Sequence, residues 1–255
     1  MTGFDIRTVN LAALNSLTKY PSIPTYHQLD PRNGSLTDEV TVFTGTVHGT
    51  EKVDGTNSRV ILLPDGSYLL GSREELLYAR GDLIGNPALG IVANLRPFAD
   101  TLTAPDGRIR VLYLELYGGR IGGQAKQYSA RGATGWRLFD VAEFTEDDFA
   151  DKLDWPPATI SAWREDQGQW FLGEDELTAT GLELVPRLFR IDGSALPSGI
   201  AEMNTFLGEH LPATLVALDD SGLGGPEGIV LRSGDRSVIA KARFQDYART
   251  LKRRK

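Results

Sequence analysis

The sequence predicts an α+β fold, mostly antiparallel sheets with flanking helices, and three observations carry that reading. Short runs rich in β-branched and aromatic residues recur in pairs around turn residues, as in SRVILL–PDG–SYLLGS and GIVLRS–GDR–SVIAKARF. Helical periodicity is confined to a few separate stretches. The regular strand–helix alternation of a parallel doubly wound sheet is missing.

Taken in order, residues 8–19 (TVNLAALNSLTK) carry apolar residues at helical spacing and predict a short helix. YPSIPTYHQLDPRNGS is punctuated by Pro and Gly and predicts loop or extended chain. From residue 40 the pattern turns to strand: VTVFTGTV, then the SRVILL–SYLLGS hairpin, then VLYLELYGG and GWRLFDVAEF. Helices are expected over 145–153 and 174–181. A stronger one begins after Ser198, where Ile200, Met203, Phe206 and Leu207 share a face and Pro212 follows the end. GIVLRS and SVIAKARF close the chain as a hairpin. With no internal repeat and no low-complexity linker, one compact domain over 1–255 is expected.

Composition narrows the function classes. The 255 residues are 41% hydrophobic and 24% charged, ordinary for a globular protein with a sizeable core. No apolar run approaches the roughly 20 residues of a membrane helix, and MTGFDIRTVNLAAL lacks the basic and apolar regions of a leader, so a cytoplasmic protein with no membrane partner is expected. The absence of cysteine removes disulfides, zinc–thiolate sites and cysteine nucleophiles together. His27, His48 and His210 are widely spaced and read as surface or core residues. A net charge of −7 argues against a general nucleic-acid coat. Charge is uneven, though: residues 143–176 hold eleven acidic side chains and two basic ones, and the last eight, ARTLKRRK, hold five basic ones. That tail reads as a solvated end, or as a holder of polyanion near a site. Trp155, Trp163 and Trp170 in the acidic region read as core packing, with a cap or docking surface as the alternative.

Five stretches carry chemistry when read together. The first is Glu51-Lys52-Val53-Asp54-Gly55-Thr56-Asn57. A lysine attacks phosphorus only when deprotonated, which calls for burial or nearby cations, and a following glycine lets the backbone pass close to a ligand. Alone, the pattern is equally that of a plain turn. Arg73, in Gly71-Ser72-Arg73-Glu74, can fork onto phosphate or pair with a neighbouring glutamate. Glu115, in Leu114-Glu115-Leu116-Tyr117-Gly118-Gly119, stands in an apolar strand where a carboxylate is costly unless it binds hydroxyls or a cation. Phe139, before Asp140 and Val141, offers a face for stacking on a base, or packs in the core. Finally, Glu227 opens one strand of the last hairpin, and Lys241 and Arg243 alternate on the other, so that both cations face one side.

In their order and content these motifs resemble the covalent nucleotidyltransferase superfamily of polynucleotide ligases and capping enzymes. EKVDGTN corresponds to motif I, SR to Ia, LELYGG to III, FDV to IIIa, EGIVLR to IV and KAR to V. The nearest likeness is to ATP-dependent RNA ligases of the phage double-strand-repair type, the RNA_ligase domain family, which the Glu before the lysine and the Asn closing motif I fit. The resemblance runs from about Tyr20 to Thr250. It implies the ligase adenylylation fold, which is ATP-grasp-like. It also implies a three-step reaction. Lys52 takes AMP from ATP, AMP passes to an RNA 5′-phosphate, and a 3′-hydroxyl displaces it. By the same resemblance, Glu115 binds ribose or a metal-bound water, Arg73 orients ribose and phosphate, and Phe139 stacks on adenine. Glu227, with Glu115, serves Mg2+ or Mn2+, and Lys241 and Arg243 contact the α-phosphate. Glu51 meets the adenine edge or a nearby strand, Asp54 and Gly55 shape the nucleotide turn, and Asn57 orients phosphate or lysine. The expected partners are RNA ends in a nicked duplex, with a protein partner or the basic tail aiding end binding. Two departures stand out. Motif V of the family usually reads K-x-K, so KAR leaves a fixed charge at Arg243 without a tunable proton. The sequence also runs only twelve residues past Arg243, which implies no C-terminal oligonucleotide-binding barrel. An adenylyltransferase for DNA ends or another acceptor, and a nucleotide-binding module without turnover, remain alternatives.

Overall fold

The computed structural model describes residues 7–86, 88–103, 107–122, 125–222 and 224–254. Residues 1–6, where the leader reading begins, and Lys255, the last residue of the basic tail, lie outside the described residues. In chain order the first half holds α1 (Leu11–Thr18), β1 (His27–Leu29), β2 (Leu36–Val40), β3 (Thr46–Lys52), β4 (Thr56–Leu62), β5 (Tyr68–Ser72), β6 (Leu76–Ala79), β7 (Asp82–Leu83), α2 (Ile91–Ala99) and β8 (Arg108–Gly118). The second half holds β9 (Thr134–Thr145), α3 (Glu146–Leu153), α4 (Pro157–Glu165), α5 (Glu174–Ala179), β10 (Arg187–Asp192), α6 (Ile200–His210), β11 (Gly228–Ser233), β12 (Ile239–Arg243) and α7 (Phe244–Arg254). The fold is α+β as the sequence predicts. The chain forms two compact units. One comprises residues up to Ser22, Thr56–Leu116 and Trp136–Leu172, and the other Ile23–Gly55, Tyr117–Gly135 and Gly173–Lys255.

The first unit is built on a sheet of order β7-β6-β5-β4-β8-β9. β4 and β5 are buried along nearly their whole length, which is why SRVILL and SYLLG read as unbroken apolar runs rather than alternating ones. α2 packs on β4 and β5, and α1 packs on α3 and α4. α1 starts where Asn10 Oδ1 accepts from the Ala12 and Ala13 amides, at 3.1 Å each, satisfying two donors that the first turn leaves open. Neither α2 nor α4 follows from the sequence pattern. Pro97 sits inside α2, and α2 begins after the left-handed Gly90, so its helical periodicity is interrupted at both ends. Trp155, Trp163 and Trp170 are not core as read: Trp155 and Trp163 are half-buried and Trp170 is exposed, and they gather around the buried Lys152, whose Nζ lies 4.9, 5.2 and 4.7 Å from their ring centroids. Lys152 also pairs with Asp148 at 2.5 Å.

The second unit has an antiparallel sheet of order β10-β3-β11-β12 and a β1–β2 hairpin. One sheet face forms the core: Val47, Ile229, Leu231, Ala240 and Ala242 pack with Ile200, Met203 and Leu207 of α6 and Tyr247 of α7. His27 is a core histidine, with Nδ1 2.8 Å from the Tyr247 hydroxyl and Nε2 2.9 Å from the Ser198 carbonyl. The basic tail is solvated at Arg249, Lys252, Arg253 and Arg254, as a solvated end would be, but it is also helical. Through Arg254 it is helix α7, with Tyr247 and Thr250 buried on one side. Arg249 donates to the Gly34 carbonyl (2.6 Å), Arg253 to the Asn33 carbonyl (2.7 Å), and Arg254 meets Asp38 (3.1 Å). The reason is amphipathic spacing, which the run of charges obscures in sequence.

Candidate active site

Strand parity in the second unit sorts the candidate residues. Across β3, β11 and β12, Lys52 pairs with Gly228 and Gly228 with Arg243. One step along, Thr50 pairs with Val230 and Val230 with Lys241. Side chains alternate along a strand, so Lys52, Lys241 and Arg243 share one sheet face. Glu51, Ile229 and Ala242 take the other, which is the core face. The face that the two cations of motif V share is thus the face of the lysine.

Just before β11, Glu227 reaches the same lysine, with Oε2 2.5 Å from Lys52 Nζ. The carboxylate is 15% exposed and the ammonium 24%. Burial pushes the Glu227 carboxyl above its ordinary range, while the positive charge of Lys52 pulls it back. Gly228 leaves the row between Lys52 and Arg243 without a side chain. A Cβ there would stand 2.1 Å from the Ala242 carbonyl oxygen, so this close approach requires glycine. Arg243 is held by Asp246, fully buried in the first turn of α7, whose carboxylate accepts from Arg243 Nε at 2.7 Å and from Arg249 at 2.8 Å.

Glu51 is placed away from Lys52. Its carboxylate is 1% exposed and accepts from Thr214 Oγ1 (2.5 Å) and the Leu215 amide (2.8 Å), so it secures a neighbouring loop. The turn after Lys52 is pinned by a residue the sequence reading missed. The Asp54 amide donates to the Tyr128 hydroxyl at 2.6 Å. Tyr128 is fully buried, and burial drives its phenol pKa up. Gly55 lies at the bend between β3 and β4.

The remaining candidates belong to the first unit. Asn57 on β4 stands directly opposite Glu115 on β8. Its Oδ1 is buried and has no hydrogen-bond partner, while Glu115 is half-buried. Two positions along, Arg59 opposes Tyr113 on the same face. Arg59, also missed in sequence, is wholly buried, and burial lowers its pKa to about 10. It donates to the Arg73 carbonyl (3.3 Å) and to Asn15 Oδ1. Gly71 opposite makes room, since a Cβ there would come within 3.0 Å of Arg59 Nε. Arg73 itself lies just past β5 with a side chain 59% exposed, 3.6 Å from Glu74. Phe139 packs edge-on against Tyr20 (centroids 4.9 Å apart) and roughly parallel to Tyr113 (6.3 Å). Among the described residues no cluster of three or more His, Cys, Asp or Glu could by itself hold a metal ion.

The family model for RNA ligases matches residues 45–245. The chain belongs to the RNA ligase family. An apo mutant of the Naegleria gruberi RNA ligase superposes with a TM-score of 0.57 at 14% identity, over 93% of this chain and 58% of that one. The same ligase with PPi gives 0.54 at 15% identity, over 99% and 61%. An archaeal ATP-dependent RNA ligase gives 0.50 at 19% identity, over 91% and 50%. This RNA ligase family member therefore has the fold of those enzymes, and it spans half to about three fifths of their lengths. No curated protein matches it by sequence.

Proposed function

We propose that this chain is the nucleotidyltransferase part of an ATP-dependent RNA ligase, a single adenylyltransferase domain over residues 1–255. The carrying observation is the pairing of Lys52 with Glu227 on a sheet face that also presents Lys241 and Arg243. Lys52 Nζ gives its proton to the Glu227 carboxylate, attacks the α-phosphorus of ATP, and forms the N–P bond as the bond to pyrophosphate breaks. Lys241 and Arg243 offset the charge on the transferring phosphoryl group. Asp54 and Gly55 form the turn that brings the nucleotide to Lys52, and Glu51 keeps the adjacent loop in place. Asn57 presents its unpaired Oδ1 to the nucleotide, Glu115 binds the ribose hydroxyls or a metal-bound water, Arg73 binds ribose and phosphate, and Phe139 stacks on adenine. In the second step a phosphate oxygen of the RNA 5′ end attacks the same phosphorus, the P–N bond breaks, and Lys52 recovers a proton. In the third a 3′-hydroxyl attacks the activated end and AMP leaves. The structures of the Naegleria ligase with ATP and Mn, and the name of the archaeal ATP-dependent ligase, support ATP as the nucleotide. Glu227, with Glu115, is the carboxylate that would hold Mg2+ or Mn2+, and the ion would supply charge neutralisation of the triphosphate. We take RNA ends in a nicked duplex as the acceptor, with end binding shared with a partner protein or further chain.

The test is intact mass after incubation with ATP and magnesium. The expected result is a gain of one AMP, absent with GTP and absent in Lys52→Ala. A GMP adduct would redirect the reading to capping chemistry, and no adduct from folded, nucleotide-free protein would overturn it. Nicked duplexes with RNA or DNA on each side of the nick then separate an RNA ligase from an adenylyltransferase for DNA ends.

A further inference from the structure

β12 is the outer strand of its sheet, and the segment around Thr25 runs along its free side. The Lys241 amide donates to the Pro24 carbonyl (2.8 Å), and the Tyr26 amide donates to the Lys241 carbonyl (2.9 Å). Beside this seam lies a cleft of about 460 Å3 lined by Ile23, Thr25, Gln28, Thr41, Lys241 and Arg243, among others. Two cations, two hydroxyls and an amide on a partly apolar floor suit a phosphate group and its attached sugar or phosphate.

The position of the cleft is set by strand register. Lys52, Gly228 and Arg243 form one row across three strands, and the cleft lies beyond the Arg243 end of it. With strands about 4.8 Å apart, roughly 10 Å separates the Lys52 and Arg243 backbones, enough for a phosphoryl group over the bare Gly228. Displacement at phosphorus keeps the attacking and departing groups roughly in line. If Lys52 attacks from one end of the row, the group it displaces leaves toward the other. When Lys52 later departs, the incoming oxygen arrives from that same far end.

We infer that this cleft is the subsite for the phosphate opposite Lys52. It takes the pyrophosphate of ATP as the P–O bond breaks in the first step. In the second it takes the terminal 5′-phosphate of the polynucleotide as the new P–O bond forms and the P–N bond breaks. The inference rests on the role proposed above for Lys52. It goes further in giving residues 23–41, which precede the first nucleotidyltransferase motif, a part in handling both substrates.

The test uses the exposed Gln28 in the full chain, through Gln28→Glu and Gln28→Lys. Two rates are read at limiting substrate: AMP-adduct formation from ATP, and single-turnover transfer from isolated adduct to 5′-phosphorylated RNA. Glu should slow the affected step by about tenfold and Lys should not, with the difference shrinking as salt rises. An effect confined to the ATP step assigns the cleft to pyrophosphate, and one confined to the RNA step assigns it to the polynucleotide end. Normal adduct formation with both steps indifferent to charge at residue 28, or equal slowing by both variants, overturns the cleft alone. A wild-type protein that forms no adduct overturns the cleft together with the role of Lys52.

Discussion

Glu227 has a carboxyl driven upward by burial and only partly restored by Lys52, and this sets a pH dependence of known sign. A group whose folded pKa is raised supports the fold fully below its ordinary value, and that support is lost as pH rises through the raised value. Glu227→Gln cannot ionise and escapes this loss, so its stability relative to wild type should grow between pH 4 and pH 7. Denaturant midpoints at both pH values measure it; a difference that stays flat or shrinks would mean that Lys52 outweighs burial. The same residue shows what a sequence can reveal about a site. Lys52, Glu227, Lys241 and Arg243 were legible because each motif confines its chemistry to a few adjacent positions, and alternation along β12 already put the two cations on one side. Tyr128 was not legible, because its hydroxyl meets the Asp54 amide across 74 residues and a lone tyrosine in a polar loop carries no pattern. Arg59 was hidden for the opposite reason, as a charge inside a run that otherwise reads as a buried strand.

Elements show a similar division. β4, β5, β8 and β11 follow from continuous apolar runs whose burial overrides any weak local preference. α2 is obscured by Pro97, and α7 looks like a charged tail because its buried side is made by Tyr247 and Thr250 rather than aliphatics. α7 also carries a consequence for the site. Asp246 in its first turn, a position that favours a negative charge, holds Arg243 and Arg249 together. Asp246→Ala leaves both guanidiniums without this acceptor and should lower stability by about 1–3 kcal/mol. Arg253→Ala on the exposed side should cost no more than about 0.5 kcal/mol. Because Asp246 acts through Arg243, the Ala variant should also slow AMP-adduct formation at saturating ATP, with Asn, which keeps one acceptor oxygen, recovering part of the rate. If the Ala variant loses stability but forms adduct at the wild-type rate, Asp246 serves only to dock the helix.

At the scale of the whole molecule, charge decides how a protein with a net −7 engages a polyanion. Several cations are already matched. Arg232 and Arg187 lie 3.5 and 2.6 Å from the buried Glu174, and Arg254 on α7 meets Asp38. Arg243 shares Asp246 with Arg249, and the two motif V cations, with at most two further side chains beside them, set the expected number of phosphate contacts at about two to four. Each phosphate neutralised on a duplex contributes a slope of about −0.9 to the logarithm of affinity against the logarithm of salt. Two to four contacts therefore give a slope of about −2 to −4 in kcat/KM for nick sealing, far shallower than for a protein that coats nucleic acid. The measurement is sealing of a nicked duplex at subsaturating concentration between 50 and 200 mM salt. A slope of about −6 or steeper would require more phosphate contacts than the motif V pair and its neighbours supply, and would place the recognition of RNA ends on other cations. A slope within the expected range would mean that the chain recognises the reacting phosphate and little else of the duplex, so that affinity for longer RNA has to come from a bound partner or further chain.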